Sequence, residues 1–295
     1  MMKDDQILLT VVVPTTNAIN HVGLLANWLS EISELPVEAI IVHDVTDVES
    51  SNRLAELITE LSNPKIRLVE GRFGGPGNAR NTGMLLANGE WIAFWDSDDL
   101  PKPKLATNIL FKIQTNKRVV CMNYEVSNKG NNSVFPMDSP KNIVDLVIQG
   151  GIWRYFFRKD FVANAKFGQF RMGEDYLFLA RLDLRETDIT IEKDVVYRYN
   201  IGNTFQLTSN PLAISELSKT IRELETENLQ ENGNQLNYLI YIRLCLTDFL
   251  KSPVSRKPNC MIKILVAMFE ENLLSRSHRV ILVSKLVKGL VSARR

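Results

Sequence analysis

The chain has 295 residues, 45% of them hydrophobic, which is enough to bury a full core and too apolar for a disordered or fibrous protein. Thirty-five basic residues against thirty-four acidic ones leave a formal charge of +1, so no global field selects nucleic acid or another polyanion. Three scattered cysteines, Cys121, Cys245 and Cys260, lack metal-ligand spacing and fit a reducing compartment better than a disulfide framework.

The N-terminal Met1-Met2-Lys3-Asp4-Asp5-Gln6 puts two acids before a short apolar run, unlike a signal peptide, and no apolar run reaches bilayer-spanning length, so the expected location is cytoplasmic. Residues 7–13 (ILLTVVV) have the composition of a strand buried on both faces of a parallel sheet. Leu24, Leu25, Trp28, Leu29 and Ile32 recur at helical spacing, residues 39–42 (AIIV) form a second strand, and Leu54, Leu57, Ile58 and Leu61 mark another amphipathic helix. This alternation is that of βαβ units. A third strand is predicted at 66–69, a glycine-rich loop at 71–77, a helix at 78–87 and a fourth strand at 91–95. The helix is stopped by Asn88-Gly89, Gly89 tolerating a left-handed conformation.

After Pro101 and Pro103 the pattern predicts a helix, a strand near 118–123, a polar loop at 127–133 and mixed structure to about Thr208. Beyond Asn210 only helical patterns follow, at 212–229, 234–251, 259–274 and 278–292, broken by Gly233, Pro253 and Pro258. The expected fold is therefore α/β, a mostly parallel central sheet flanked by helices at 1–208, followed by an all-helical C-terminal region at 209–295.

Asp96, Asp98 and Asp99 directly follow the strand Trp91–Trp95, where they would repel one another unless a cation or hydrogen-bond donors compensate them. Two readings fit: a Mg²⁺ or Mn²⁺ site beyond the carboxyl end of a strand, or a solvated turn in which Asp98 or Asp99 caps the next helix. Gly74-Gly75-Pro76-Gly77-Asn78-Ala79-Arg80-Asn81 runs from a loop into a helix, where amides and a guanidinium suit an anion or a planar base; an ordinary loop with a solvated Arg80 is the alternative. It lacks the Lys and Ser/Thr of a P-loop. Gly173-Glu174-Asp175 opens an apolar helix, where acids also serve as simple partners of the helix dipole.

Taken in order, these pieces resemble the bacterial family 2 glycosyltransferases of the GT-A fold. Val11-Val12-Val13-Pro14-Thr15-Thr16-Asn17 is similar to the family's opening strand and Pro-Thr-x-Asn, and His43-Asp44 to its Asp-Asp motif. Gly75–Asn81 resembles Gly-x-x-x-Ala-Arg-Asn, Asn88–Asp99 resembles the strand that ends in Asp-Ser-Asp-Asp, and Gly173-Glu174-Asp175 resembles the Glu-Asp motif. The likeness covers roughly residues 7–205.

The resemblance implies a nucleotide-sugar donor, with UDP expected. Pro14, Thr15, Asp44 and Arg80 would surround the base, Asp96 would lie near the ribose, Ser97 would belong to the same nucleotide-sugar site, and Asp98 would hold Mn²⁺ or Mg²⁺ on the diphosphate. Asp175 would be the general base of an inverting transfer to a hydroxyl of a glycan or lipid-linked oligosaccharide in bacterial surface polysaccharide synthesis. Glu174 and Trp153 are candidate acceptor contacts, although the run Trp153–Arg158 also reads as a core strand.

Three departures from the family pattern matter. His43 replaces the first aspartate of the pair and is assigned no role. The Q-x-x-R-W motif of processive synthases is absent, which predicts transfer of single sugars. Val196-Tyr197-Arg198-Tyr199 leads to Asn200 where many relatives carry a histidine, which puts an additional metal or phosphate contact from that loop in doubt.

A sugar nucleotidylyltransferase would need a glycine-rich basic loop after the first strand, which Pro14-Thr15-Thr16-Asn17 does not supply. A catalytically silent scaffold is the other alternative. Residues 276–295 carry six Lys or Arg and no acid among apolar residues, a basic amphipathic pattern suited either to an anionic membrane surface or to packing on protein.

Overall fold

The computed structural model describes residues 6–113, 116–128, 133–201, 211–227, 234–251 and 257–269. The predicted helix at 278–292, the basic segment 276–295 and the expected boundary at 208 lie outside these residues. Among the described residues, no helix is long and apolar enough to cross a membrane.

The β-branched run becomes β1 (Leu9–Thr15), buried along its whole length. It is followed by α1 (Val22–Leu29), which buries Val22, Leu25, Trp28 and Leu29, and by β2 (Val37–Asp44). Next come α2 (Val48–Leu61), N-capped by Asp47, which accepts from Ser50 N at 2.6 Å, and β3 (Ile66–Gly71). Then α3 (Pro76–Leu86), β4 (Trp91–Phe94), the short β5 (Leu100–Pro101) and α4 (Pro103–Leu110) precede a long β6 (Val119–Asn128). The chain continues through β7 (Ser133–Pro136), α5 (Ile143–Gln149), β8 (Tyr155–Arg158), α6 (Lys159–Val162), α7 (Glu174–Arg181) and β9 (Ile189–Ile201). The last of the described elements are α8 (Pro211–Thr226), α9 (Gln235–Lys251) and α10 (Lys257–Phe269).

These elements form two compact units. Residues 1–139, 151–169 and 188–204 make the first, and residues 140–150, 170–187 and 205–295 the second. The second unit thus draws in α5 and α7 as well as the C-terminal helices.

The whole sheet belongs to the first unit, in the order β3-β2-β1-β4-β8-β6-β9-β5, with β7 paired to β6. β1 runs parallel to β2 and β4, and β2 parallel to β3, as βαβ units require. β8 lies antiparallel between β4 and β6, so the sheet is mixed beyond its first four strands. Leu9, Val11 and Val13 of β1 face the same core as Val37, Ala39 and Ile41 of β2, Trp28 of α1 and Leu54 and Leu57 of α2.

Two local expectations need correcting. The glycine-rich loop ends two residues early, because Pro76 begins α3; its fixed φ and missing N–H suit a first helical turn. Gly89 is absent from the positive-φ residues, so left-handed freedom is not what demands glycine there. A Cβ at Gly89 would lie 2.5 Å from Thr10 N, and close backbone approach excludes a side chain.

Below that contact lies a buried carboxylate. Glu38 accepts from Thr10 Oγ1 and from Asn88 N, each at 2.6 Å, and from Arg67 Nη2 at 2.9 Å. Burial pushes its pKa up, but the hydrogen bonds from Thr10 and Asn88 and the charge of Arg67 outweigh it, and the group titrates below its ordinary value of 4.5. A depressed folded pKa means that the stabilisation is complete above the unfolded pKa and is lost as pH falls through the folded one. Glu38→Gln is therefore expected to destabilise by about 2–3 kcal/mol at neutral pH. That difference should shrink on acidification in denaturant titrations; a difference independent of pH would contradict it.

Candidate active site

Asp96-Ser97-Asp98-Asp99 lies just past β4, at the carboxyl end of the parallel strands, where open α/β sheets bind ligands. β9 holds the loop in place. Tyr197 Oη accepts from Asp96 N at 3.0 Å and donates to Asp99 Oδ2 at 2.8 Å. Asn200 N donates to Asp99 Oδ1, and Asn200 Nδ2 to the carbonyl of Asp98, both at 2.7 Å.

Asp99 is fully buried, and burial first, then the charges of Asp98 and Asp96, push its carboxyl well above the usual range; the Asn200 N–H and the Tyr197 hydroxyl only partly oppose this. It is not a helix cap: α4 is preceded by Lys102, and no side chain caps it. The solvated-turn reading of the cluster is corrected accordingly. Asp99 is a structural anchor of the loop.

Tyr197 is itself locked by aromatic packing. Trp153 stacks on it with centroids 4.6 Å apart and planes 6° from parallel, and stacks on Tyr199 at 5.3 Å. Trp153 is only 5% exposed. The ring therefore has little face to offer a sugar, and its evident role is to fix the tyrosine that fixes the acidic loop. Tyr197→Phe deletes both hydrogen bonds with little change in shape. It is expected to cost about 1–3 kcal/mol in urea unfolding, because buried polar partners are stranded. Parental stability would show that the loop does not depend on this phenol.

The opposite side of the loop is basic. Arg80 Nη2 bonds Asp96 Oδ1 at 2.9 Å, the guanidinium is almost wholly buried, and it lies 5.5 Å from the centroid of the Phe167 ring. The position of Arg80 traces back to Asp44 at the end of β2. Asp44 accepts from Phe73 N at 2.9 Å and from Gly75 N at 3.0 Å, which secures the loop leading into α3. Asp44, Arg80 and Asp96 are thus joined through one loop and one helix. Arg80 is not the solvated side chain that the sequence left open.

Pro14 and Thr15 end β1, which lies between β2 and β4. Ser97 is buried between Asp96 and Asp98, and Asp98 is half-buried. Thr15 pairs with His43 across the strands. Among the described residues, neither the Thr15 hydroxyl nor either ring nitrogen of the fully buried His43 has a hydrogen-bond partner.

Asp175 and Glu174 belong to the second unit, in the first turn of α7. Glu174 is buried; Asp175 is half-buried and accepts from Tyr176 N at 2.8 Å. The first turn of a helix favours its negative charge.

The structure thus gathers Pro14, Thr15, Asp44, Arg80, Asp96, Ser97 and Asp98 at one end of the sheet in the first unit. Sequence reasoning missed Tyr197 and Asn200, which lie about a hundred residues beyond the acids they hold. No local spacing signals such a contact.

The donor set fits a hard divalent cation only in part. Among the described residues, no group of three His, Cys, Asp or Glu side chains could hold a metal. Asp96 is paired with Arg80 and Asp99 is anchored by β9, so a cation at this loop would draw on few protein carboxylates and on substrate phosphates. Mg²⁺ and Mn²⁺ commonly bind in this way, through one or two carboxylates plus phosphate oxygens. Burial first, and then the charges of Asp98 and Asp96, push the Asp99 carboxyl up, and a nearby cation would offset the second of these causes.

A mixed sheet whose adjoining strands β3-β2-β1-β4 run parallel, with a clamped acidic loop and a paired arginine at their carboxyl ends, has the α/β architecture of the GT-A fold. The expectation of a mostly parallel sheet holds for those four strands and not for the sheet as a whole. The chain belongs to glycosyl transferase family 2, whose family model matches residues 10–183, and it is a glycosyltransferase. The succinoglycan biosynthesis protein ExoO of Rhizobium meliloti is 26% identical over 186 residues, 56% of this chain and 52% of that protein. The poly(ribitol-phosphate) beta-N-acetylglucosaminyltransferase TarS of Staphylococcus aureus is 26% identical over 202 residues, 64% of this chain and 35% of that protein.

TarS 1–349 crystallised with UDP-GlcNAc has a TM-score of 0.59 at 17% identity, over 88% of this chain and 89% of that one. The mannosyltransferase PcManGT of Pyrobaculum calidifontis, in complex with GDP-Man and Mn²⁺, has a TM-score of 0.59 at 14% identity, over 97% of this chain and 81% of that one. At these identities the structural likeness establishes the fold.

Proposed function

We propose that this glycosyltransferase moves a single sugar, with inversion, from a UDP-sugar to a hydroxyl of a glycan or lipid-linked oligosaccharide in bacterial surface polysaccharide synthesis. The observation that carries this reading is the Asp96–Asp99 loop, fixed by Tyr197 and Asn200 and paired with Arg80 at the carboxyl end of β4. The TarS complex with UDP-GlcNAc supports a uridine nucleotide as the donor.

In this scheme the loop pinned by Asp44 and the end of β1 at Pro14 and Thr15 receive the base. Asp96, oriented by Arg80, meets the ribose beside Ser97. Asp98 would hold Mn²⁺ or Mg²⁺, and the cation, when bound, would offset the negative charge that develops on the leaving phosphate. Asp175 accepts the proton of the acceptor hydroxyl while that oxygen bonds to the anomeric carbon and the bond from that carbon to the β-phosphate oxygen breaks. Attack from the face opposite the phosphate inverts the configuration, and Glu174 lies next to the base as an acceptor contact.

Thermal shift with UDP, with and without Mn²⁺, tests the donor half of this reading. Bound at a hundred times its Kd, UDP with Mn²⁺ is expected to stabilise the fold by about 2.7 kcal/mol, and UDP alone by less. If neither UDP nor GDP shifts the midpoint with or without metal, the reading fails.

A further inference from the structure

The residues around Gly173 give the C-terminal helices a task. The family match ends at residue 183, before α8 begins, yet α8 and α9 grip the segment that carries Asp175 at both of its ends. On the entry side, Thr220 Oγ1, fully buried on α8, donates to the carbonyl of Met172 at 2.8 Å, and Arg171 N donates to Glu216 Oε2 at 2.9 Å. Gly173 adopts φ +84°. A Cβ there would lie 3.1 Å from Thr220 Cγ2, 3.2 Å from Leu217 Cδ1 and 3.3 Å from Leu244 Cδ2. The turn is therefore pressed against α8 and α9 one residue before Glu174. On the exit side, Arg181 bonds Glu223 of α8 and Glu227 just past its end, and Asn237 Nδ2 of α9 donates to the carbonyl of Ala180 at 3.0 Å. α5 adds a third hold, the Tyr176 hydroxyl donating to the carbonyl of Val147 at 3.0 Å.

A helix this short has little rigidity of its own, since nucleation is costly and only packing sustains so few turns. Its first turn is where orientation matters most. A general base must lie within hydrogen-bond reach of the proton it takes, and displacement by about 1 Å costs up to roughly a hundredfold in rate. We infer that α8 and α9 are a frame that positions Asp175, with Thr220 as the central positioning residue. This inference rests on Asp175 being the base.

Thr220→Val removes the hydroxyl and keeps the volume; Thr220→Ser keeps the hydroxyl. The readout is release of the nucleoside diphosphate, with Mn²⁺, from whichever of UDP-GlcNAc, UDP-glucose, UDP-galactose and GDP-mannose the parent turns over fastest, alongside amide hydrogen exchange of residues 171–177. Thr220→Val is expected to lower kcat about tenfold, with the donor KM and the UDP thermal shift unchanged and exchange at 171–177 faster. Thr220→Ser should restore kcat. Glu216→Ala, at a more exposed position, should move both readouts the same way by a smaller factor, and it carries the test if Thr220→Val does not fold. Parental kcat in Thr220→Val beside an inactive Asp175→Asn overturns the inference alone, as does equal loss in the Val and Ser variants or unchanged exchange at 171–177. Parental kcat in Asp175→Asn overturns the base reading, and the frame falls with it.

Discussion

Asp175→Asn is expected to lower the kcat of sugar transfer about a thousandfold while leaving UDP and Mn²⁺ binding intact, as loss of a general base requires. Asparagine has nearly the size of aspartate, and its carbonyl can still accept from Tyr176 N as Asp175 Oδ1 does. What it cannot do is take up a proton. The donor-side residues Asp44, Arg80, Asp96 and Asp98 belong to the other unit, so their hydrogen bonds have no covalent or sequence-local dependence on position 175. Turnover and UDP thermal shift measured on one preparation check this. Equal loss of both would make Asp175 a structural or donor residue, and retained turnover would remove it from the chemistry.

Asp98→Ala should produce the complementary result. The Mn²⁺-dependent part of the UDP stabilisation disappears, and UDP affinity in the presence of metal falls roughly a hundredfold or more, since a cation on a diphosphate is worth several kcal/mol. The other two acids of the cluster cannot replace it without disrupting bonds already in place. Asp96 is committed to Arg80, and Asp99 is sealed under Tyr197 and Asn200. Titration of UDP at fixed Mn²⁺, repeated in EDTA, separates the metal-dependent term from the rest. An Asp98→Ala protein whose UDP affinity still rises with Mn²⁺ would place the cation elsewhere.

Substitutions at the two aspartates thus separate donor binding from proton transfer, whereas Tyr197→Phe reports on the loop that presents Asp98. Asn200 shows why a departure from a family pattern need not mean a lost function. The absent histidine put a ligand contact at that position in doubt, yet the asparagine there holds the main chain of Asp98 and the carboxylate of Asp99.

The first four strands and their helices are legible in the sequence because parallel strands buried on both faces read as uninterrupted β-branched runs and surface helices carry a 3.6-residue stripe. Those signals are local, and they place Asp44, Arg80 and Asp96–Asp99 at successive strand and helix ends. The later half is less legible. β6 pairs parallel with β9 through Asn128 and Ile201, so the predicted strand at 118–123 extends into what reads as polar loop. Pairing between segments some seventy residues apart overrides local polarity.

Order along the chain by itself determined the family resemblance, the donor-side candidates and Asp175, because each motif depends on neighbours a few residues away. The tertiary structure alone decided that Asp99 is an anchor and Arg80 a buried partner of Asp96, and that Trp153 belongs to the core. It also decided that the C-terminal helices share a compact unit with the segment bearing Asp175. These facts depend on side chains meeting across long stretches of chain, where burial and hydrogen-bond satisfaction, rather than spacing, settle which polar group pairs with which.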